Sequence, residues 1–502
     1  MASTLHTLGS LSQNPDEMQV TLEQLKQFRQ QLYSSLAYCG DTIMDLLDAL
    51  SSNTTAKSVV ELSLNPLFRR GYGSVYGGIK QFFQPVSVET TAEERRTQEQ
   101  QLIQLIVSYL PRPQQQKYWL LGVDVTPAPR RFAATLKDRG YVYHPNAIAS
   151  NKPVTIGHQY SALVLFPEKL QASSPPWVVP LSLRRVTTQE TKRSVGVQQV
   201  NLLLNDQTLP FHQQLCVQVT DSEYSTASYL GDMTEHDNLV TIARVRSNRV
   251  FYQTPPPRPA FPSRGHPTWY GARFDLKDPD TWKEPDEVVQ TTYTNHLGRI
   301  YQVHLECWHN LLMSGTREYP MHQHPFTLIR ARVFNEAGKQ IFQRPLWLLV
   351  MGQHRNQLSL TEGWEAYRRR YDVEHFFRFG KQRLLMAAYQ TPEVQHEENW
   401  WQIAQLAYVQ LWLARCLAEA MPRPWERYLP QFQTQSESQI SSPSMVQRDF
   451  GRIIQEIGTP AQSPKPRGKS PGRTKGDRQQ PRKRRKVIKK SVSKQTQKSR
   501  AA

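Results

Sequence analysis

Cysteine is scarce: Cys39, Cys216, Cys307 and Cys416 stand far apart in 502 residues. Such spacing offers no disulfide framework and excludes a small secreted scaffold held by bridges. A reducing compartment fits better. Long apolar runs are missing as well. The longest, such as SALVLF and LWLLV, have the length of buried strands, far short of the roughly 18 residues of a membrane helix. No early segment joins a basic start, an apolar run and a small-residue cleavage site, so no secretory signal is expected. Acid is nearly absent from the C-terminal end. Residues 461–502 hold 16 Lys+Arg and one acid, Asp477, and so carry +15 of the net +19. The preceding body is close to balance. A nucleic-acid partner suits that distribution, and a membrane partner does not.

The pattern along the chain divides it. Residues 1–17 read as a flexible leader. Apolar residues three and four apart from Thr21 to Leu50, and again in TAEERRTQEQQLIQLIVSYL before Pro111, predict helices. Residues 18–112 are therefore expected to form a separate helical domain that binds DNA. From 117 to 253, short β-branched and aromatic runs bounded by turns predict a sheet. Residues 254–335 begin rich in proline and isolated aromatics, then alternate, and read as an inserted β-rich segment. Residues 336–430 return to one strand and two helical runs, TEGWEAYRRRYDVEHFFRFGKQRLL and EENWWQIAQLAYVQLWLARCLAEAM. Residues 431–460 read as a linker. Residues 461–502 are too basic and too poor in apolar surface to fold alone.

Three acids stand out by context. Asp124 closes the apolar run WLLGVD, Asp221 closes LCVQVTD, and Glu374 lies in the helical run after RPLWLLVMG. Carboxylates at the carboxyl ends of neighbouring strands meet at one edge of a sheet. Three together repel unless a cation sits among them. Oxygen donors select Mg²⁺ or Mn²⁺, and two such ions about 4 Å apart serve phosphoryl chemistry. A lone Asp after an apolar run is more often a turn or cap. In the helical run, Tyr367, Arg370, Glu374 and Lys381 follow at offsets of 3, 4 and 7 and share one face. A carboxylate flanked by two cations suits a metal beside phosphate. An intrahelical salt-bridge ladder is the competing reading.

YRRRYDVEHFFRFGK resembles the Tyr-x2-Arg-x3-Glu-x6-Lys signature of cut-and-paste DDE transposases of bacterial insertion sequences. The match is complete at Tyr367, Arg370, Glu374 and Lys381. Asp124 in GVDVT and Asp221 in VTDSEYS resemble the first two acids of that family's triad. The resemblance covers about residues 20–430. It implies an RNase H-like α/β fold, a mixed sheet flanked by helices, with the third acid on a helix after a β-rich insert. It implies that Asp124, Asp221 and Glu374 are catalytic and hold two Mg²⁺ or Mn²⁺ ions. Tyr367, Arg370 and Lys381 would contact DNA phosphates. Trp269 and Trp282 are positional candidates for stacking on a flipped base. Arg244 and Arg246, in an Arg-rich strand after the second acid, are candidates for lining the DNA channel. The implied partners are double-stranded DNA with terminal inverted repeats, target DNA, and a second copy of the chain in a synaptic homodimer. The implied location is the bacterial cytoplasm, at the nucleoid when DNA is bound. An inactive relic, a nuclease of the same fold, or a nonenzymatic DNA-binding protein using its basic tail are the alternatives.

Weaker signals remain. HLECWH brings His304, Cys307 and His309 together as donors that suit zinc, but no second cluster accompanies them and packing is favoured. GYGSVYGG lacks the Gly-Lys-Ser/Thr of an ATP loop. PRKRRKVIKK reads as a basic arm for phosphates.

Overall fold

In the computed structural model, the structure describes residues 15–83, 92–143, 153–169, 174–256, 269–295, 298–421 and 440–466, then 472, 474, 476, 478 and 480–489. The leader through residue 14 and residues 431–439 of the expected linker lie outside them. The rest of that linker carries a helix, Pro443–Ile457, whose Val446, Phe450, Ile453 and Ile454 are buried in the core, which corrects its reading as a linker. The elements in chain order are helices α1 (Pro15–Ser35), α2 (Gly40–Ser51), α3 (Tyr72–Gln81) and α4 (Ala92–Val107), then β1 (Trp119–Pro129), β2 (Gly140–Tyr143), β3 (Val154–Leu165), β4 (Val179–Val186) and α5 (Lys192–Leu204). Next come β5 (Cys216–Thr220), α6 (Ala227–Met233), β6 (Leu239–Val245), β7 (Val250–Tyr252), β8 (Arg273–Asp275), β9 (Glu287–Thr294), β10 (Ile300–Leu311), β11 (Phe326–Phe334) and β12 (Leu346–Met351). Helices α7 (Leu360–Arg368), α8 (Tyr371–Gln382), α9 (Val394–Leu413), α10 (Leu417–Ala420) and α11 (Pro443–Ile457) follow. Among the described residues no helix is long and apolar enough to cross a membrane.

One mixed sheet organises the chain, in the order β2-β3-β1-β5-β6-β12-β11-β10-β9, with β4 also on β3. Strand β3 runs antiparallel to β1 and β4 antiparallel to β3, whereas β5 and β6 run parallel to β1. Parallel neighbours need crossovers, supplied by α5 and α6. The expected mixed sheet flanked by helices is present.

The inserted segment behaves differently from the expectation of a distinct β-rich unit. Strand β12 pairs with β6, and β11, β10 and β9 add in turn. The open edge of β6 is a template for further pairing, and the insert extends the same sheet. Among the described residues only β7 and β8 form a separate two-stranded sheet, covering a local core of Phe251, Phe274, Trp308 and Trp347.

The separate N-terminal domain is also corrected. Helices α1–α4 share one apolar core with the sheet. Helix α9 explains why. It is buried along almost its whole length, because α2 and α3 cover one side and β4 the other. Its buried polar side chains find partners there: Glu397 pairs with Arg130, Asn399 donates to Ile79 O, Gln402 to Leu183 O and Gln405 to Pro180 O. Arg29 of α1, itself buried, donates to Asp48 of α2 and to Gln410 of α9. Part of the basic tail is likewise bound. Arg485 and Ile488 donate backbone N–H to the carbonyls of Ala134 and Arg139, both 2.8 Å, and Arg482 pairs with Glu393. The tail's charge is visible in the sequence, whereas the Ala134 and Arg139 carbonyls that hold it are set only by folding.

Candidate active site

Strand β1 carries Asp124 in mid-strand, not at its end as expected. The strand runs on through Pro127 to Pro129. Pairing with β5 stops at Val123, opposite Thr220. Beyond it one edge of β1 is released from β5, and proline is tolerated at such an edge. Because Val123 and Thr220 are in register, the next residues, Asp124 and Asp221, leave the parallel pair side by side.

The long helical run expected from Thr361 to Leu385 is interrupted. Ser359 and Glu362 form a reciprocal capping box that starts α7. Around Arg369 and Arg370 the backbone tightens to i→i+3 bonds, with Arg370 N–H donating to Tyr367 O and Val373 N–H to Arg370 O. Helix α8 then begins, with Glu374 in its first turn, where the helix dipole favours a carboxylate. Arg370 sits at the junction and bridges two of the acids. Its Nη1 donates to Asp124 Oδ2 at 2.9 Å and its Nη2 to Glu374 Oε1 at 3.0 Å.

The electrostatics follow from this crowding. Burial pushes the Asp124 carboxyl up to about 6; Arg370 and the Val125 amide oppose that rise, while Asp221 and Glu374 add to it. Burial opposes charge on Arg370, but Tyr367 and the three acids outweigh it and raise its pKa. Burial raises Tyr367 to about 12, beside Arg370, Asp221 and Arg244. Lys381 donates to Pro127 O at 2.8 Å, and burial pulls its pKa down to about 8. Tyr367, Arg370 and Glu374 therefore cluster with the two aspartates, whereas Lys381 reaches β1 three residues beyond Asp124. Tyr367, Arg370 and Lys381 have protein partners here in place of the open phosphate contacts expected of them.

Arg244 and Arg246 are both exposed, on the same side of the strand-end segment. Arg246 joins Arg193, Arg249, Ser222, Ser225 and Thr226 around a cleft of about 300 Å³ directly after Asp221. Arg193 was not legible from sequence, since only folding brings the start of α5 beside the β5 end. The two tryptophans separate. Trp269 is half-exposed and stacks on His322 at 4.2 Å. Trp282 packs against Phe274, Trp308 and Trp347, under Arg330, and its indole N–H donates to Asp275 O. It belongs to the local core, which corrects its candidacy for base stacking.

The donor set fits a hard divalent cation: carboxylate oxygens, one of them on a largely buried group whose ionisation is costly without positive charge nearby. This has a measurable consequence in cation-free protein. A folded pKa near 6 against an ordinary value of 3.8 favours the folded state fully below about 4, and that contribution is lost as pH rises through about 6. Asp124→Asn should match wild type near pH 4 and exceed it at pH 8 by at most about 3 kcal/mol. The 19% of the side chain left exposed trims that figure. Urea melts in chelator at both pH values measure it, and equal stabilities at pH 8 would refute it.

No curated protein matches the chain. A family model described as DDE superfamily endonuclease matches residues 36–303, slightly more than half of the sequence, and includes Asp124 and Asp221. With a mixed sheet flanked by helices and two aspartates adjacent at the β1–β5 pair, the chain belongs to the DDE superfamily endonucleases.

Proposed function

We propose that this endonuclease is a transposase that cleaves insertion-sequence DNA at its terminal inverted repeats and joins the freed ends to target DNA. The observation that carries this reading is the convergence of Asp124, Asp221 and Glu374 around Arg370. The order of elements supports an RNase H-like core, and the complete Tyr-Arg-Glu-Lys signature supports a transposase over a general nuclease.

Asp124, Asp221 and Glu374 would hold two Mg²⁺ or Mn²⁺ ions. Bound there, such ions supply an activated nucleophile and stabilise a leaving 3′ oxygen. The chain's own groups do the rest. Arg370 fixes the Asp124 and Glu374 carboxylates relative to one another and holds Asp124 ionised near neutral pH. Lys381 ties α8 to the stretch of β1 left unpaired by β5, so Glu374 keeps its position over the strand. Arg193, Arg244 and Arg246 present guanidinium groups for backbone phosphates at the rim. The basic tail adds contacts that strengthen binding without reading sequence. Synapsis as a homodimer, bound at the bacterial nucleoid, belongs to this proposal and rests on the resemblance alone.

The test is Mg²⁺-dependent nicking of labelled duplex carrying the inverted repeats that flank the gene. Nicking at the repeat ends supports the proposal; binding without nicking favours the nonenzymatic alternative.

Arg370→Ala should lower nicking by roughly tenfold or more at pH 7. It removes the main group opposing the rise of Asp124, whose pKa must move above 6. The acidic limb of the pH–rate profile should therefore shift to higher pH, with Arg370→Lys restoring part of that shift. A reduced rate with an unmoved limb would contradict the role given to Arg370.

A further inference from the structure

We propose that Glu287, Cys307 and His309 form a second metal site, for Zn²⁺, on the inserted strands. Cys307 and His309 are two apart on β10 and so share a face, and Glu287 opens β9 directly opposite Cys307. Their ligand atoms all lie within 4.8 Å of one another. The Cys307 Sγ to His309 Nε2 separation is 3.4 Å. Sulfur and nitrogen ligands at about 2.3 and 2.0–2.1 Å from one tetrahedral Zn²⁺ stand about 3.5 Å apart, so these two side chains already have the required spacing.

The surroundings are arranged for the same purpose. His309 Nδ1 lies 3.1 Å from Thr327 Oγ1 on β11, a partner that orients the ring and leaves Nε2 toward Cys307. The His309 amide donates to Asp286 Oδ2 at 2.6 Å. The β10–β11 register shifts between Trp308 and Leu311, and Asn310 has φ of +56°; a bulge of this kind re-aims side chains. On its open side His309 borders a cleft of about 490 Å³ with Lys283, Asp286 and Asn310, room for a water as fourth ligand. His304, the other histidine of the motif, points elsewhere and packs on Phe334 at 4.6 Å.

A thiolate, an imidazole and a carboxylate select Zn²⁺ over Mg²⁺, whereas the acids of the candidate active site offer oxygen alone. On binding, the Cys307 S–H bond breaks, its proton leaves to solvent and an S–Zn bond forms. The ion would clip the exposed edge strand β9 to β10, stiffening the insert on a side away from the acids' own strands.

The test titrates Co²⁺ into the full-length protein after chelator treatment and dialysis under reducing conditions. Wild type should develop a thiolate-to-cobalt charge-transfer band that saturates at one equivalent. Zn²⁺ should bleach it, and excess Mg²⁺ should not. Cys307→Ser should lose the band, Glu287→Gln and His309→Gln should weaken Co²⁺ binding at least about tenfold, and Thr327→Val about tenfold. No band in wild type, a band that survives Cys307→Ser, or wild-type affinity in Glu287→Gln overturns the site. Should Cys307→Ser fail to fold, Glu287→Gln, at an exposed residue, decides by itself.

Discussion

Replacing Asp124 or Asp221 with Asn, or Glu374 with Gln, is expected to reduce nicking of inverted-repeat DNA by roughly a thousandfold or more while leaving DNA binding within a few-fold of wild type. An amide keeps the shape of the carboxylate and loses its charge, and the stabilisation of transition-state charge that depends on it is worth several kcal/mol. The acids are separated by 97 and 153 positions in the sequence, yet each has a defined place: Asp124 and Asp221 on adjacent parallel strands, Glu374 held by the Arg370 bridge. On the proposed function the phosphate contacts would fall to the arginines at the rim and to the tail, so binding should survive. Folding must be intact in each variant, and the melts described for Asp124→Asn check this with the same protein. A variant that nicks at the wild-type rate removes its residue from the catalytic set.

The largest effect on stability is expected at Glu397, far from the acids' own contacts. Its carboxylate is buried with Arg130, Nε to Oε2 at 2.9 Å, and both side chains are fully shielded. His158 Nδ1 and the Tyr160 hydroxyl each lie 3.0 Å from Oε1. Burial works against ionisation, but His158 and Arg130 outweigh it and hold the carboxyl below its ordinary range. Glu397→Ala leaves Arg130 buried without a counter-charge, which costs about 3–5 kcal/mol. The consequence reaches the site, because Arg130 follows Pro129 at the end of β1 and also donates to Ala387 O, joining the strand of Asp124 to the segment after α8. Urea unfolding at neutral pH measures the loss. A change below about 1 kcal/mol would show that solvent or a neighbour replaces Glu397. The low folded pKa adds a sign: the contribution is present above the ordinary carboxylate range and is lost as pH falls through the folded value.

What the sequence disclosed was local in kind. Apolar runs ending in Asp124 and Asp221 marked two strands, and the spacing from Tyr367 to Lys381 pointed to one helical run, which the structure divides at Arg370 into α7 with Tyr367 and α8 with Glu374 and Lys381. What it concealed depended on partners remote in sequence. Nothing in α1 announces that Arg29 will bond Gln410 of α9, so the helices read as a domain of their own. The insert read as a unit because alternation in β9–β12 identifies strands but not the sheet they join. The tail's charge hid the few backbone groups that bind beside β2. In HLECWH the eye falls on His304, yet a period of two turns it away from Cys307, and Glu287 takes its place from another strand.

The central claim is that the acids act as ligands to a divalent cation that DNA cleavage requires. The most direct measurement is nicking by Asp221→Cys in Mg²⁺ and in Mn²⁺, since sulfur is a poor ligand for the first and a better one for the second. The account predicts almost no nicking in Mg²⁺, recovery of at least about tenfold in Mn²⁺, and none in chelator. Nicking at the wild-type rate in Mg²⁺, or nicking by wild type in chelator, would contradict it.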